Sequence, residues 1–219
     1  MSQQSRARGF FITFEGPEGS GKSSQGRWLA QTLHRRDYSV VLLKDPGSTV
    51  LGRALRRALL HTSAQLTPMA EALLFIGGRV QLIEERIQPA LRRGQIVVCD
   101  RFHDSTVAYQ GVGGGLDVSW LDRLGRAAIH HVMPNLTILL DVPTTRGFAR
   151  LHRSRDRMER KTREFHRRVR AGFLRLAKRE PRRVVVINAT RSSDEVQAHI
   201  ERIVMQHISA HELARGSRL

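Results

Sequence analysis

The sequence predicts an α/β fold in three layers: a five-stranded parallel sheet flanked by helices. Five short apolar runs recur along the chain, at residues 10–15, 39–43, 95–99, 136–140 and 184–187. Segments with helical periodicity separate them. Each run is continuously apolar rather than alternating, which marks strands buried on both faces, as in a parallel sheet covered by helices. The 219 residues, 40% of them hydrophobic, suffice for one such core, and 26% charged content excludes a disordered polymer.

The first run, FFITFE, ends at Gly16, and a helix is expected over residues 22–36 with Trp28, Leu29 and Leu33 at helical spacing. SVVLL makes the second strand. A short helix follows at 51–60. Thr67 caps a longer helix that carries Pro68 in its first turn and sets Ile76, Val80, Ile83 and Ile87 on one face. Gly77–Gly78 reads as a weak point in that helix, and Pro89 as a kink or terminal turn. QIVVC is the third strand, 118–130 a helix and LTILL the fourth strand. A helix begins near residue 144. A long basic helix covers roughly 161–179 and stops before Pro181. The fifth strand precedes a last helix at 193–207, with Ile200, Ile203 and Val204 facing inward.

Cys99 is the only cysteine, which excludes an internal disulfide framework and agrees with a reducing, cytoplasmic setting. The stretch MSQQSRARG is basic and polar, and the apolar run behind it is broken by Thr13 and ended by Glu15 and Gly16, so no targeting segment and no membrane span is expected. Residues 1–8 read as a disordered basic arm, 9–210 as a single domain and 211–219 as a C-terminal tail. The formal charge is +17, and residues 146–183, with 16 Lys and Arg against 4 Asp and Glu, supply +12 of it. Such excess draws polyanions such as nucleotides, nucleic acid or anionic lipid, although a solvated helix face gives the same count.

Gly16-Pro17-Glu18-Gly19-Ser20-Gly21-Lys22-Ser23 matches G-x-x-x-x-G-K-[ST], between an expected strand and an expected helix. Glycines let the backbone curl until several N–H groups face one anion, and a side chain there would block the approach. The helix behind adds its positive dipole end. Lys22 is placed to reach β- and γ-phosphates, and the Ser23 hydroxyl to ligate Mg²⁺. The motif speaks for a nucleoside triphosphate and says nothing about an acceptor.

Three further stretches bear on the acceptor. In VVCDRFHDSTVAYQG, Asp100 and Arg101 stand at the C-terminal end of the third strand, the edge where open α/β sheets bind ligands. Asp100 there can hold a metal-bound water, and Arg101 can grip a phosphate with two prongs, unless they form a plain surface ion pair. In LLFIGGRVQ, Phe75 and Arg79 share a helix face, so a ring and a guanidinium can take the plane and edge of a base, or Phe75 is simply core. In RLHRSRDRMERK, Arg150, Arg153, Arg155 and Arg157 crowd a segment poor in apolar residues, either a cationic cover for phosphates or a solvated basic loop.

With these stretches together, the chain resembles the thymidylate kinases of bacterial type from Phe11 to about Val196. FITFEGPEGSGKSSQ, KDPGSTVLGRALRRALL, ALLFIGGRVQLIEERIQPAL, VVCDRFHDSTVAYQGVGGGLD, ILLDVPTTRGFAR and DRMERKTREFHRRVRAGFLRLA carry the likeness. It implies a P-loop nucleoside monophosphate kinase fold with a short arginine-rich lid at about 150–161. It also implies Mg²⁺-dependent transfer of the γ-phosphoryl of ATP to dTMP, and a homodimer. ATP would lie on residues Gly16 to Ser24, including Pro17, Gly19, Ser20 and Gly21, with Ala189 and the turn 188–190 bordering adenine. Ser23 and Asp100 would serve the metal. Phe75 would stack on thymine and Arg79 bond its edge. Arg101 would hold the acceptor phosphate and Glu18 meet the sugar 3′-hydroxyl region. Ser105, Tyr109 and Gln110 would line the acceptor pocket with Asp45, Tyr109 disfavouring a ribose 2′-hydroxyl. Arg153, or a near neighbour, would act on the transition state from the lid. Lys22, Arg101, Arg153 and Glu18 form the implied catalytic set.

The family's Arg-Glu-Pro-Gly-Gly-Thr appears here as Lys44-Asp45-Pro46-Gly47-Ser48-Thr49, and the acidic or amide residue before Arg79 is Gly78. The first change shortens a carboxylate and removes a planar fork, and the second removes an acceptor that would orient Arg79. They predict slower turnover or an altered base choice. Two other readings remain open at this point: a different nucleoside monophosphate or nucleoside kinase, and a catalytically weakened P-loop protein that binds nucleic acid. The latter is not favoured, because the basic stretch overlaps the expected lid, where phosphate chemistry already calls for cations.

Overall fold

The computed structural model describes residues 9–151 and 156–216. β1 (Phe10–Glu15), β2 (Val40–Lys44), β3 (Ile96–Asp100), β4 (Leu136–Asp141) and β5 (Val184–Asn188) form one parallel sheet in the order β2-β3-β1-β4-β5. Every residue of β1 and β3 is buried. The continuous apolar runs have their explanation in this layering. Phe10, Ile12 and Phe14 face Leu29 and Leu33 of α1 (Lys22–His34) and Ile200 and Val204 of α9 (Ser193–Gly216), while Phe11 faces Leu82, Ile83 and Ile87 on the other side. A strand with helices on both faces admits few polar side chains, and the two in β1, Thr13 and Glu15, are buried and hydrogen-bonded to Thr137, Phe102 and Ser105.

The other helices are α2 (Val50–Leu60), α3 (Pro68–Leu82), α4 (Gln88–Arg92), α5 (His103–Thr106), α6 (Val118–Ala128), α7 (Thr144–Ala149) and α8 (Arg163–Arg179). Thr67 caps α3 as expected, its hydroxyl accepting from Ala70 N at 3.2 Å. Gly77–Gly78 does not interrupt α3. Packing of the helix against α2, α5 and α6 outweighs the glycine penalty of about 1 kcal/mol per residue. Pro89 is accommodated by a π turn, Ile83–Ile87, immediately before it. The wider turn relieves the clash between the proline ring and the carbonyl one turn back. A second π segment, Val107–Gly113, extends α5 and packs on α8. Neither π turn has a periodicity signature in the sequence.

The last helix runs to Gly216, so residues 211–216 continue α9 rather than forming the expected tail. Ile208 is buried and the His211 ring meets Phe10 edge-on at 5.2 Å, which gives the extra turns an apolar footing. The +12 stretch is partly spent on internal pairing. Arg170 holds Asp141 with two bonds of 2.7 Å, Arg183 holds Asp104, Arg179 reaches Asp122, and Arg157 and Lys161 both meet Glu71. Among the described residues, no helix is long and apolar enough to cross a membrane.

Candidate active site

Parallel pairing puts the C-terminal ends of β1, β2, β3 and β4 side by side, with Phe14 opposite Asp100 and Lys44 opposite Asp100 from the other flank. The loops leaving these ends enclose a cleft of about 520 Å³. A crevice at this edge, where successive connections leave in opposite directions, is the ligand position of open α/β sheets.

One half of the cleft is the glycine loop. Gly16, Gly19 and Gly21 have φ of 141°, 68° and 92°, values that a side chain disfavours. The crest of the loop lies on α7: a β-carbon on Gly19 would come within 1.8 Å of Gly147 O, and one on Gly147 within 2.2 Å of Glu18 O. Lys22 reaches back across the loop and donates to Pro17 O at 2.7 Å and Ser20 Oγ at 3.2 Å. Ser23 Oγ donates to Asp100 Oδ2 at 2.5 Å, and Lys44 Nζ lies 3.5 Å from the same carboxylate.

Arg101 joins this half to the other. It sits in the left-handed region at φ 70°, which directs its side chain over the loop. Its guanidinium donates to Gly16 O at 3.4 Å, Ser105 Oγ at 3.1 Å, Glu18 Oε1 at 3.0 Å and Tyr109 OH at 3.2 Å. Tyr109 OH in turn donates to Glu18 at 2.6 Å. Deeper in, Arg79 is 1% exposed, donating to Asp45 Oδ2 at 2.5 Å and Thr106 Oγ1 at 3.0 Å. Asp45 and Thr106 orient Arg79 without any help from the position of Gly78. The acceptor that Gly78 does not supply has its counterparts in Asp45 and Thr106. Leu55 also lies 3.1 Å from where a Gly78 β-carbon would stand, so the helix contact with α2 favours the small residue. Among the described residues, buried Arg79 Nη1 and Asp45 Oδ1 have no hydrogen-bond partner, and both residues line the cleft.

Burial and charged neighbours together set the protonation of this cluster. Burial would raise Glu18, but Arg101 and Lys22 outweigh it and hold the carboxyl at about 2. Burial, with Arg101 alongside, lowers Lys22 to about 8. Burial opposes the charge of Asp100 too, yet Lys44 and Lys22 keep it below the usual range. Glu15 goes the other way: burial and neighbouring Asp104 raise it to about 7. Of these two adjacent carboxyls Asp104 keeps the charge, because Arg183 grips both its oxygens.

Glu18, Gly19, Ser20, Gly21, Lys22, Ser23, Ser24, Asp45, Phe75, Arg79, Asp100, Arg101, Ser105, Tyr109, Gln110 and Ala189 all line the cleft. Gly16 and Pro17 serve it through their main-chain oxygens, which accept from Arg101 and Lys22. Phe75 is half-buried rather than core. The Gln110 amide donates to Glu71 Oε2 at 3.0 Å. Of the four lid arginines singled out from the sequence, Arg153 and Arg155 lie outside the described residues. Arg157 is taken up by Glu71 at 2.6 Å and Leu59 O at 2.7 Å, so it braces the fold, whereas exposed Arg150 lines the cleft. Sequence reasoning passed over Glu15, Glu71 and Thr106, whose partners lie 27 to 90 residues away. It also treated Lys44 only as a lost fork, not as a partner of Asp100.

Comparison with known proteins gives a consistent answer. The family model described as thymidylate kinase matches residues 14–200. The chain is similar to the thymidylate kinase of Thermomicrobium roseum, 48% identical over 184 residues that cover 83% of this chain and 87% of the relative. It is similar to that of Synechococcus sp. (strain JA-2-3B'a(2-13)), 45% identical over 194 residues, covering 89% and 93%. Among solved structures it resembles the crystal structure of thymidylate kinase from Ehrlichia chaffeensis, with a TM-score of 0.75, 36% identity, and coverage of 90% of this chain and 98% of that one.

Proposed function

Because the chain belongs to the thymidylate kinase family, we propose a division of labour within its cleft. The reaction is ATP-dependent phosphorylation of dTMP to dTDP. The glycine loop, with Lys22, takes the triphosphate of ATP, and the turn around Ala189 borders its adenine. The second half takes dTMP. Phe75 stacks on thymine, and the unpartnered Arg79 Nη1 and Asp45 Oδ1 supply a donor and an acceptor at the base end. Arg101 and Ser105 hold the acceptor phosphate, Gln110 lines the same pocket, and Glu18 and Tyr109 close around the sugar.

The observation that carries this reading is the guanidinium of Arg101, which touches both halves of the cleft at once. Phosphoryl transfer asks the protein for alignment and charge neutralisation more than for proton abstraction, since the acceptor is already an anion. Lys22, Arg101 and Arg150 are cations spaced along one cleft, able to offset the repulsion between two approaching phosphates. Arg153 completes the lid side of this proposal. Mg²⁺ fits the same place. Ser23 Oγ and Asp100 Oδ2 are a hydroxyl and a carboxylate, oxygen donors suited to a hard cation that takes its other ligands from water and phosphate. Bound there, the ion would spread charge away from the transferred group.

A homodimer belongs to the proposal. Leu73 is 51% exposed on α3, with Met69 one turn before it and Trp120 exposed on α6, which packs against α3. A second copy of the chain is the occupant proposed for this face. A cytoplasmic location also belongs to it, in keeping with the free, buried thiol of Cys99.

The test is ADP release measured across dTMP, dUMP, UMP and CMP. dTMP should give the highest kcat/KM. Lys22→Ala should lower kcat by about 10²-fold or more with an unchanged circular dichroism spectrum. Arg101→Ala should raise the KM for dTMP well above any change for ATP. Turnover surviving in Lys22→Ala would remove the donor assignment.

A further inference from the structure

The helical run after Arg101 begins without a cap of its own. Phe102 occupies the N-cap position of α5, and its side chain makes no capping bond. A helix start needs an oxygen to receive its first N–H groups, and phenylalanine offers none. The oxygen comes from a neighbouring strand. Glu15, the last residue of β1 and fully buried, receives Phe102 N at 2.7 Å and Ser105 N at 3.2 Å on Oε1, and the Ser105 hydroxyl at 2.5 Å on Oε2. These are the first and fourth residues of the turn, the pair that a local cap would serve. Arg101, one residue earlier, is pinned to the preceding residue of β1, its N–H donating to Phe14 O at 3.0 Å.

We propose that Glu15 is a positioning residue for the acceptor half of the cleft: it caps α5 from β1 and so fixes Arg101 and Ser105 in their cleft-facing positions. This rests on the reading of Arg101 and Ser105 as the groups that hold the dTMP phosphate. Glu15 precedes the glycine loop in sequence, yet its bonds go to the opposite half. Its burial beside Asp104 opposes its charge, so a carboxyl here is costly to keep. An apolar residue would spare that cost but strand the buried Phe102 N–H, leave Ser105 N only its 3.2 Å bond to Phe102 O, and release the Ser105 hydroxyl. The geometry therefore ties the end of one strand to the aim of a guanidinium on the next.

Steady-state KM values for dTMP and ATP separate the possibilities, with Arg101→Ala as reference and thermal melts as the folding check. Glu15→Leu removes the acceptor at similar volume and should raise the KM for dTMP roughly tenfold or more. The KM for ATP should stay within about twofold. Glu15→Gln keeps an oxygen for Phe102 N and Ser105 N and should stay within about threefold of wild type for both substrates. If Glu15→Leu does not melt cooperatively, Glu15→Asp, whose carboxyl falls one methylene short, carries the same expectation. An unchanged KM for dTMP, an equal rise for both substrates, or a Gln variant as impaired as the Leu variant would overturn the role of Glu15. An Arg101→Ala variant with unaltered dTMP kinetics would overturn the acceptor assignment instead.

Discussion

Glu15 and Glu18 stand three residues apart and titrate in opposite senses. Glu18 is lowered from 4.5 to about 2, so its contribution to stability is present above pH 4.5 and is lost as pH falls toward 2. Glu15 is raised from 4.5 to about 7, so its favourable contribution is present below pH 4.5 and is lost as pH rises through 7. Each shift corresponds to about 3 kcal/mol, with opposite sign at neutral pH. Glu15→Gln should therefore unfold at higher urea than wild type at pH 8, by up to about 3 kcal/mol, and the gap should close by pH 5. Equal midpoints at pH 8 would show that Glu15 keeps its charge at little cost. At the same scale, Phe75, Arg79 and Asp45, named from the sequence, line the cleft, but the Arg79–Asp45 pair was not foreseen. A contact across 34 residues leaves no trace in local pattern.

The elements that shape the cleft are small and dictated by their neighbours. α7 has six residues, yet its Gly147 carries the crest of the glycine loop. Gly147→Ala would push a β-carbon to within 2.2 Å of Glu18 O, a main-chain atom that must then move. The variant should keep its fold and lose roughly tenfold or more in kcat/KM for ATP, since misplacement of this order is felt strongly in phosphoryl transfer. Unaltered ATP kinetics would mean that the loop holds its own shape. Helix caps are local: Thr67 caps α3 as expected, and Thr162, which the sequence reading did not single out, caps α8. Thr162 Oγ1 accepts from Phe165 N at 3.1 Å, and Thr162→Ala should cost about 1 kcal/mol in urea unfolding with kcat unchanged. The π turns at 83–87 and 107–113 escape such reading because they arise where a helix must fit a proline or an adjoining helix.

At the scale of the whole molecule, strand order decides where chemistry happens. With β1 between β3 and β4, the glycine loop and Asp100–Arg101 emerge next to each other although some 80 residues separate them. The exposed apolar residues of α3 and α6 belong to this scale too. Leu73→Glu should shift sedimentation from dimer to monomer, because a buried unpaired carboxylate opposes association. A wild-type chain that sediments as a monomer at micromolar concentration would remove the proposed interface. By itself, the sequence determined the five strands, the glycine cradle and the cations around it. Central strands buried on both faces and turns that favour glycine impose their rule on consecutive residues, so the rule is written there, whereas the edge strands β2 and β5 leave Leu42 and Val186 exposed. Only the tertiary structure decided that Glu15 caps a helix it does not precede, that Asp45 rather than a neighbour of Arg79 aims that arginine, and that Arg157 braces Glu71. Those bonds join strands and helices far apart in the chain, and packing alone brings such partners within hydrogen-bond reach.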